Sequence, residues 1–139
     1  MTSSIIYEGN LRTVCTHERS GSIIETDAPV DNKGKGERFS PSDLVATALG
    51  SCMITIMGMR AQEMKVQLDG VKIEVEKIMA GEPRRIGAIN LTFHFPENLA
   101  LSDTQKLVLE KAAHSCPVIY SIHPDIKVNV QFLWKLQVA

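Results

Sequence analysis

The sequence has no CxxC or CxxH pair, and its three cysteines, Cys15, Cys52 and Cys116, are odd in number and far apart. Neither a disulfide framework nor a zinc site follows from such spacing. A surplus of one charge is missing too: 15 Lys and Arg face 16 Asp and Glu, for a net charge of -1. That removes the usual electrostatic footprint for nucleic acid or an anionic membrane, so neither is expected as a partner. The N-terminus lacks a basic segment followed by a long apolar one, and no cleaved signal is expected. Gly34 and Gly36 flank Lys35, but the G-x-x-x-x-G-K-[ST] pattern of a phosphate-binding loop is absent. The longest uncharged run, the 16 residues from Leu44 to Met59, is shorter than the roughly 20 needed to span a bilayer. It is expected to be a buried helix of a soluble cytoplasmic protein, a compartment in which thiols stay reduced.

What is present fits one globular domain over 1–139, with 44% hydrophobic and 22% charged residues. Ile5 to Thr16 mixes β-branched and polar residues and reads as a strand. A turn at Glu18 to Ser22 leads to a second strand, Ser22 to Thr26, and Asp27 to Phe39 reads as a loop. A helix should follow, with Ser40 as N-cap, Pro41 at the first position and Asp43 in the first turn. It continues through Leu44, Leu49, Ile54 and Met57 and turns polar at Arg60. Its middle is apolar on all sides and must be enclosed, which a chain this short cannot do alone; a partner subunit is expected to supply the cover.

Val71 to Ile78 and Ile86 to Phe95 alternate as strands. A second helix is expected to start at Ser102, bury Leu107, Val108, Ala112 and Ala113, and reach Cys116. Ile126 to Trp134 alternates as a last strand. The order β-β-α-β-β-α-β predicts an α+β fold, an antiparallel sheet packed with two main helices.

Cys52 lies inside the apolar helix, where a thiol is either a small hydrophobe or a reactive group. Cys116 stands at a helix end before Pro117, where backbone amides can stabilise a thiolate or the side chain can simply pack. Cys15, mid-strand, is assigned to structure. His17 lies near the first hairpin as a possible base, and His114, two residues from Cys116, does not share its helical face.

Two longer segments give these positions a context. Phe39-Ser40-Pro41-Ser42-Asp43-Leu44-Val45-Ala46-Thr47-Ala48-Leu49-Gly50-Ser51-Cys52 resembles the helix-start signature of the OsmC/Ohr family, the osmotically inducible and organic hydroperoxide resistance proteins. Ala112-Ala113-His114-Ser115-Cys116-Pro117-Val118 is similar to the family's second cysteine motif. The resemblance, from about Tyr7 to Trp134, implies an OsmC-like fold in an intertwined homodimer. It implies a thiol-dependent peroxidase that reduces organic hydroperoxides, with Cys52 as peroxidatic and Cys116 as resolving cysteine. No bound cofactor or metal is implied; an external thiol or dihydrolipoyl group would be the reductant. An OsmC-like redox-sensing or small-molecule-binding protein with little turnover is the alternative.

The family's hydroperoxide reductases activate the cysteine with an N-terminal arginine, oriented by a glutamate just after the helix-start proline. Here Ser42 holds that place. Arg19 and Arg38 are the candidate arginines, with Glu37 as a carboxylate to orient Arg38 or an arginine of a partner chain.

Overall fold

The computed structural model describes residues 1–135, so the last four positions of the expected 1–139 domain lie outside the described residues. The chain forms two compact units, Met1–Val45 and Ala46–Ala139, each with a three-stranded sheet.

The first unit opens with β1 (Ser3–Gly9), β2 (Arg12–His17) and β3 (Ile23–Asp27), an antiparallel meander. The expected single strand from Ile5 to Thr16 is therefore two. Gly9, Asn10 and Leu11 all take positive φ and turn the chain between β1 and β2. Leucine rarely adopts that conformation, which is why the hydrophobic pattern there masks the turn. The β2–β3 turn falls where the sequence places it: Thr16 pairs with Ile23, and the register runs on to Arg12 opposite Asp27.

From Ala28 to Phe39 the chain is a loop with one 3-10 turn at Val30–Asn32. Its fold depends on Gly34, where a Cβ would lie 1.7 Å from the carbonyl oxygen of Ala28.

Helix α1 (Pro41–Glu63) begins in the first unit and continues into the second. Its cap is as predicted and reciprocal. The Asp43 N–H donates to Ser40 Oγ at 3.0 Å, and the Ser40 N–H donates to Asp43 Oδ2 at 2.9 Å.

The second unit packs β4 (Lys72–Ala80), β5 (Arg85–His94), α2 (Asp103–Ala113) and β6 (Lys127–Leu133) with the body of α1. The α+β class holds, with two main helices, but the sheets are not antiparallel throughout. β4 and β5 form an antiparallel hairpin, whereas β6 runs parallel to β5. A parallel neighbour needs a crossover of a dozen or more residues, and α2 supplies it.

The core follows the predicted strand faces. Ile89, Leu91, Phe93 and Phe95 are buried on one side of β5 and its extension. Against them α1 sets Ala46, Leu49, Met53, Met57 and Ala61, spaced three or four apart. Gly50 brings the helix backbone close to the sheet: a Cβ there would meet Leu91 and Val75 at 3.4 Å.

Ala48, Ser51, Thr55 and Met59 leave one line of α1 exposed, in keeping with a helix that a chain this short cannot enclose alone. One expectation about the second helix needs correction. In α2 the buried pair is Leu109 and Ala113, while Leu107 is 51% exposed. Ser102 forms a capping box with Gln105, and this fixes the helix phase and turns Leu107 outward. By length and composition alone α1 could cross a membrane, yet Leu49, Met53 and Met57 sit at the centre of a packed protein core.

Candidate functional site

α1 carries Cys52 eleven residues past Pro41, one position before the buried Met53, and its thiol is half-buried. α2 stops at Ala113, with His114 as C-cap, so Cys116 lies just beyond the helix rather than within it. The segment after it is tightly tied. Ile119 donates its N–H to the Cys116 carbonyl at 3.2 Å, Ser121 Oγ donates to the Pro117 carbonyl at 2.8 Å, and Ile122 N–H donates to the Val118 carbonyl at 3.2 Å.

The second unit brings the Cys52 and Cys116 side chains close enough to interact, both as free thiols. Cys116 has 0% of its surface exposed. Burial pushes its thiol above the ordinary value, and the neighbouring Cys52 pushes it further the same way. The Ile119 and Val118 backbone N–H groups lie close enough to the Cys116 sulfur to act in the opposite direction. Burial prevails, so the Cys116 thiol favours its protonated form.

The C-terminal half of α1 and one face of α2 flank an open groove of about 410 Å³, whose lining includes neither cysteine. Ile56, Met59, Val108 and Ala112 form its apolar walls, and Arg60, paired with Glu63, and Lys111 supply charge. Ile56 is one turn past Cys52, and Ser115, also on the groove, directly precedes Cys116.

The remaining predicted site residues lie in the first unit, and they are not paired as expected. Arg38 Nε sits 3.6 Å from Glu25 Oε1. Glu37 places Oε1 3.6 Å from Arg12 Nη2 instead of orienting Arg38. Both residues lie in bends of the loop before α1, and Arg38 Nη1 donates to the Glu37 backbone carbonyl at 3.1 Å while the two side chains pair elsewhere. Arg19 is exposed in the β2–β3 turn, and His17 Nδ1 lies 2.7 Å from Ser20 Oγ in the same turn. His114 is exposed and meets Phe132 edge-on. Ser42, at the position of the family's glutamate, places Oγ 3.2 Å from Ser40 Oγ at the helix cap. Cys15 is half-buried in β2, 3.8 Å from Thr13 Oγ1.

One charged cluster was missed. Arg12 holds the buried Asp27 through two hydrogen bonds, Nε to Oδ1 at 2.7 Å and Nη2 to Oδ2 at 2.8 Å. The Glu37 N–H donates to Asp27 Oδ2 at 3.2 Å, and Phe39 accepts from the Asp27 N–H, so the pair anchors the segment leading into α1. The Arg12 guanidinium keeps the Asp27 carboxyl below its usual range. The signal was legible: extending the hairpin register from Thr16 opposite Ile23 places Arg12 across from Asp27.

Comparison with known proteins identifies this arrangement. The OsmC-like protein family profile matches residues 34–131. A solved structure from Psychrobacter arcticus 273-4, named as a candidate osmotic stress induced and detoxification response protein, is 46% identical to this chain; each covers 96% of the other, with a TM-score of 0.91. More distant structures share the fold. The organic hydroperoxide resistance protein OsmC of Legionella pneumophila is 18% identical, with a TM-score of 0.72 over 95% of this chain and 96% of that one. The organic hydroperoxide resistance protein OhrB of Bacillus subtilis is also 18% identical, with a TM-score of 0.66 over 96% and 98%. A search of functionally curated proteins gave no match. With most of its length matched by the profile and close identity to a solved member over nearly the whole chain, the protein belongs to the OsmC-like family.

Proposed function

We propose that this chain is a thiol-dependent peroxidase that reduces organic hydroperoxides to alcohols. The observation that carries the reading is the contact between two free thiols, Cys52 half-buried and Cys116 fully buried. As a thiolate, Cys52 attacks the terminal peroxide oxygen; the O–O bond breaks, the alkoxide leaves and takes a proton, and Cys52 becomes a sulfenic acid. Cys116 then attacks the sulfenic sulfur, water departs, and a disulfide forms. The proximity of the two side chains supports this step. The groove that holds Ile56, one turn past Cys52, and Ser115, next to Cys116, has apolar walls at Met59, Val108 and Ala112 that suit the organic part of such a peroxide. An external dithiol, such as a dihydrolipoyl group, closes the cycle without a bound cofactor or metal.

The working unit in this reading is a cytoplasmic homodimer. Support comes from apolar surface left uncovered in each unit: Ile5, Ile6, Tyr7, Ile23 and Ile24 in the first, Met59 and Leu107 in the second.

A second reading, a redox-sensing or binding protein with little turnover, is favoured by one observation. Arg38 and Glu37 are each engaged with other charges, and Ser42 is drawn to the helix cap. Stopped assays of cumene hydroperoxide consumption with dithiothreitol separate the two. Sustained consumption that is abolished in Cys52→Ser supports the peroxidase, and equal consumption in the variant would falsify it. A Cys52–Cys116 disulfide formed once, without turnover, supports the second reading.

A further inference from the structure

The two sulfurs differ in access, and that difference bears on how the oxidised pair is reopened. Cys116 is 0% exposed, while Cys52 is half-buried. Thiol–disulfide exchange needs an incoming sulfur in line with the bond it breaks, so access decides which sulfur is attacked. The leaving sulfur then carries a full negative charge, which a buried site tolerates only with donors aimed at it. The backbone N–H groups of Val118 and Ile119 lie close enough to the Cys116 sulfur to favour its charged form, and can serve as such donors. They belong to the segment fixed by the Ile119–Cys116, Ser121–Pro117 and Ile122–Val118 hydrogen bonds, so they are in place before the bond breaks.

We propose that an external thiol opens the Cys52–Cys116 disulfide by attack at Cys52, and that the Val118 and Ile119 backbone amides hold the departing Cys116 thiolate. The inference rests on the pair being redox-active, as in the function proposed above. The electron pair of the incoming thiolate forms a new S–S bond to Cys52, and the pair of the broken bond leaves on Cys116. That thiolate then takes a proton. When the reductant is a dithiol, its second thiolate attacks the reductant sulfur of the mixed disulfide. Cys52 is expelled as a thiolate and the reductant departs as a disulfide, leaving both protein sulfurs reduced.

The test uses the full chain carrying Cys15→Ser, oxidised with diamide. Brief exposure to β-mercaptoethanol is followed by acid quench, N-ethylmaleimide capture and peptide mapping. The expected product has the mercaptoethanol adduct on Cys52 and the maleimide on Cys116. An adduct on Cys116, an even split between the two, or failure of diamide to join the sulfurs overturns the proposal. Because diamide forms the bond without peroxide, the mapping decides this point whether or not the chain turns over peroxides. Ile119→Pro removes one of the two amide donors. If it folds, as judged by circular dichroism, disulfide opening should slow by roughly tenfold, the order of one hydrogen bond to a charged group. An unchanged rate in the folded variant overturns the role of the amides. The mapping in the Cys15→Ser chain stands if the proline variant does not fold.

Discussion

Gly50 lies two residues before Cys52, where α1 meets the second sheet, and substitutions there test how the reactive helix is seated. A Cβ at position 50 would come 3.4 Å from Leu91 Cδ2, 3.4 Å from Val75 Cγ2 and 3.6 Å from Ile73 Cγ2. These are ordinary contact distances, so alanine fits without displacing the sheet. Replacing glycine inside a helix by alanine gains about 1 kcal/mol of propensity. Gly50→Ala should therefore stabilise the protein by up to about 1 kcal/mol, which for a chain of this size raises Tm by about 3 °C. Leucine adds three carbons beyond that Cβ, with Leu91 and Val75 already in contact. Overpacking of this kind costs about 1–3 kcal/mol, so Gly50→Leu should lower Tm by several degrees. Scanning calorimetry at one fixed protein concentration measures both, since association would make Tm concentration-dependent. A Gly50→Ala variant as destabilised as Gly50→Leu, or a neutral Gly50→Leu, would refute the seating of α1 on Leu91 and Val75.

Asp27→Asn should destabilise the protein at neutral pH, because Arg12 loses its buried carboxylate partner. The Asp27 carboxyl is held below its ordinary 3.8, so its contribution is present above that pH and lost as pH falls through the depressed value; the Tm gap between wild type and variant should close in acid. Ser102→Ala removes a side chain that accepts the Gln105 N–H at 3.1 Å, and urea unfolding should show a loss of about 1 kcal/mol. Leu49→Ala, at a fully buried position, should cost about 2–5 kcal/mol in the same assay. At pH 8, iodoacetamide should modify Cys52 well before Cys116, as burial both shields Cys116 and favours its protonated form; mass mapping over time would show equal rates if the two thiols were alike.

Much of this architecture was legible because it rests on local chemistry. Ser40, Pro41 and Asp43 fix the start of α1, and the alternation Ile89, Leu91, Phe93 and Phe95 identifies the inner face of β5. The two cysteines could be singled out from their flanking segments, but their contact is tertiary: it requires α1, α2 and the turn at Pro117 to be packed together. Other features depend on partners distant in sequence. The parallel placement of β6 follows from where the crossover delivers the chain, which alternation in Lys127–Leu133 cannot reveal. Leu107 looked like a core residue in a list of apolar positions, and only the helix phase set by Ser102 and Gln105 turns it outward. Glu37 and Arg38 are neighbours in sequence, yet their side chains pair with Arg12 and Glu25 brought to them by the fold, whereas Arg12 and Asp27, fifteen residues apart, are joined by hairpin register.

The most direct test of the central claim is a stoichiometric titration of the reduced protein with cumene hydroperoxide, read by peptide mass mapping. The account predicts that each equivalent of peroxide yields one equivalent of cumyl alcohol and one Cys52–Cys116 disulfide, leaving Cys15 a free thiol. Peroxide consumed with Cys52 and Cys116 both still reduced, or a disulfide that involves Cys15, would contradict it.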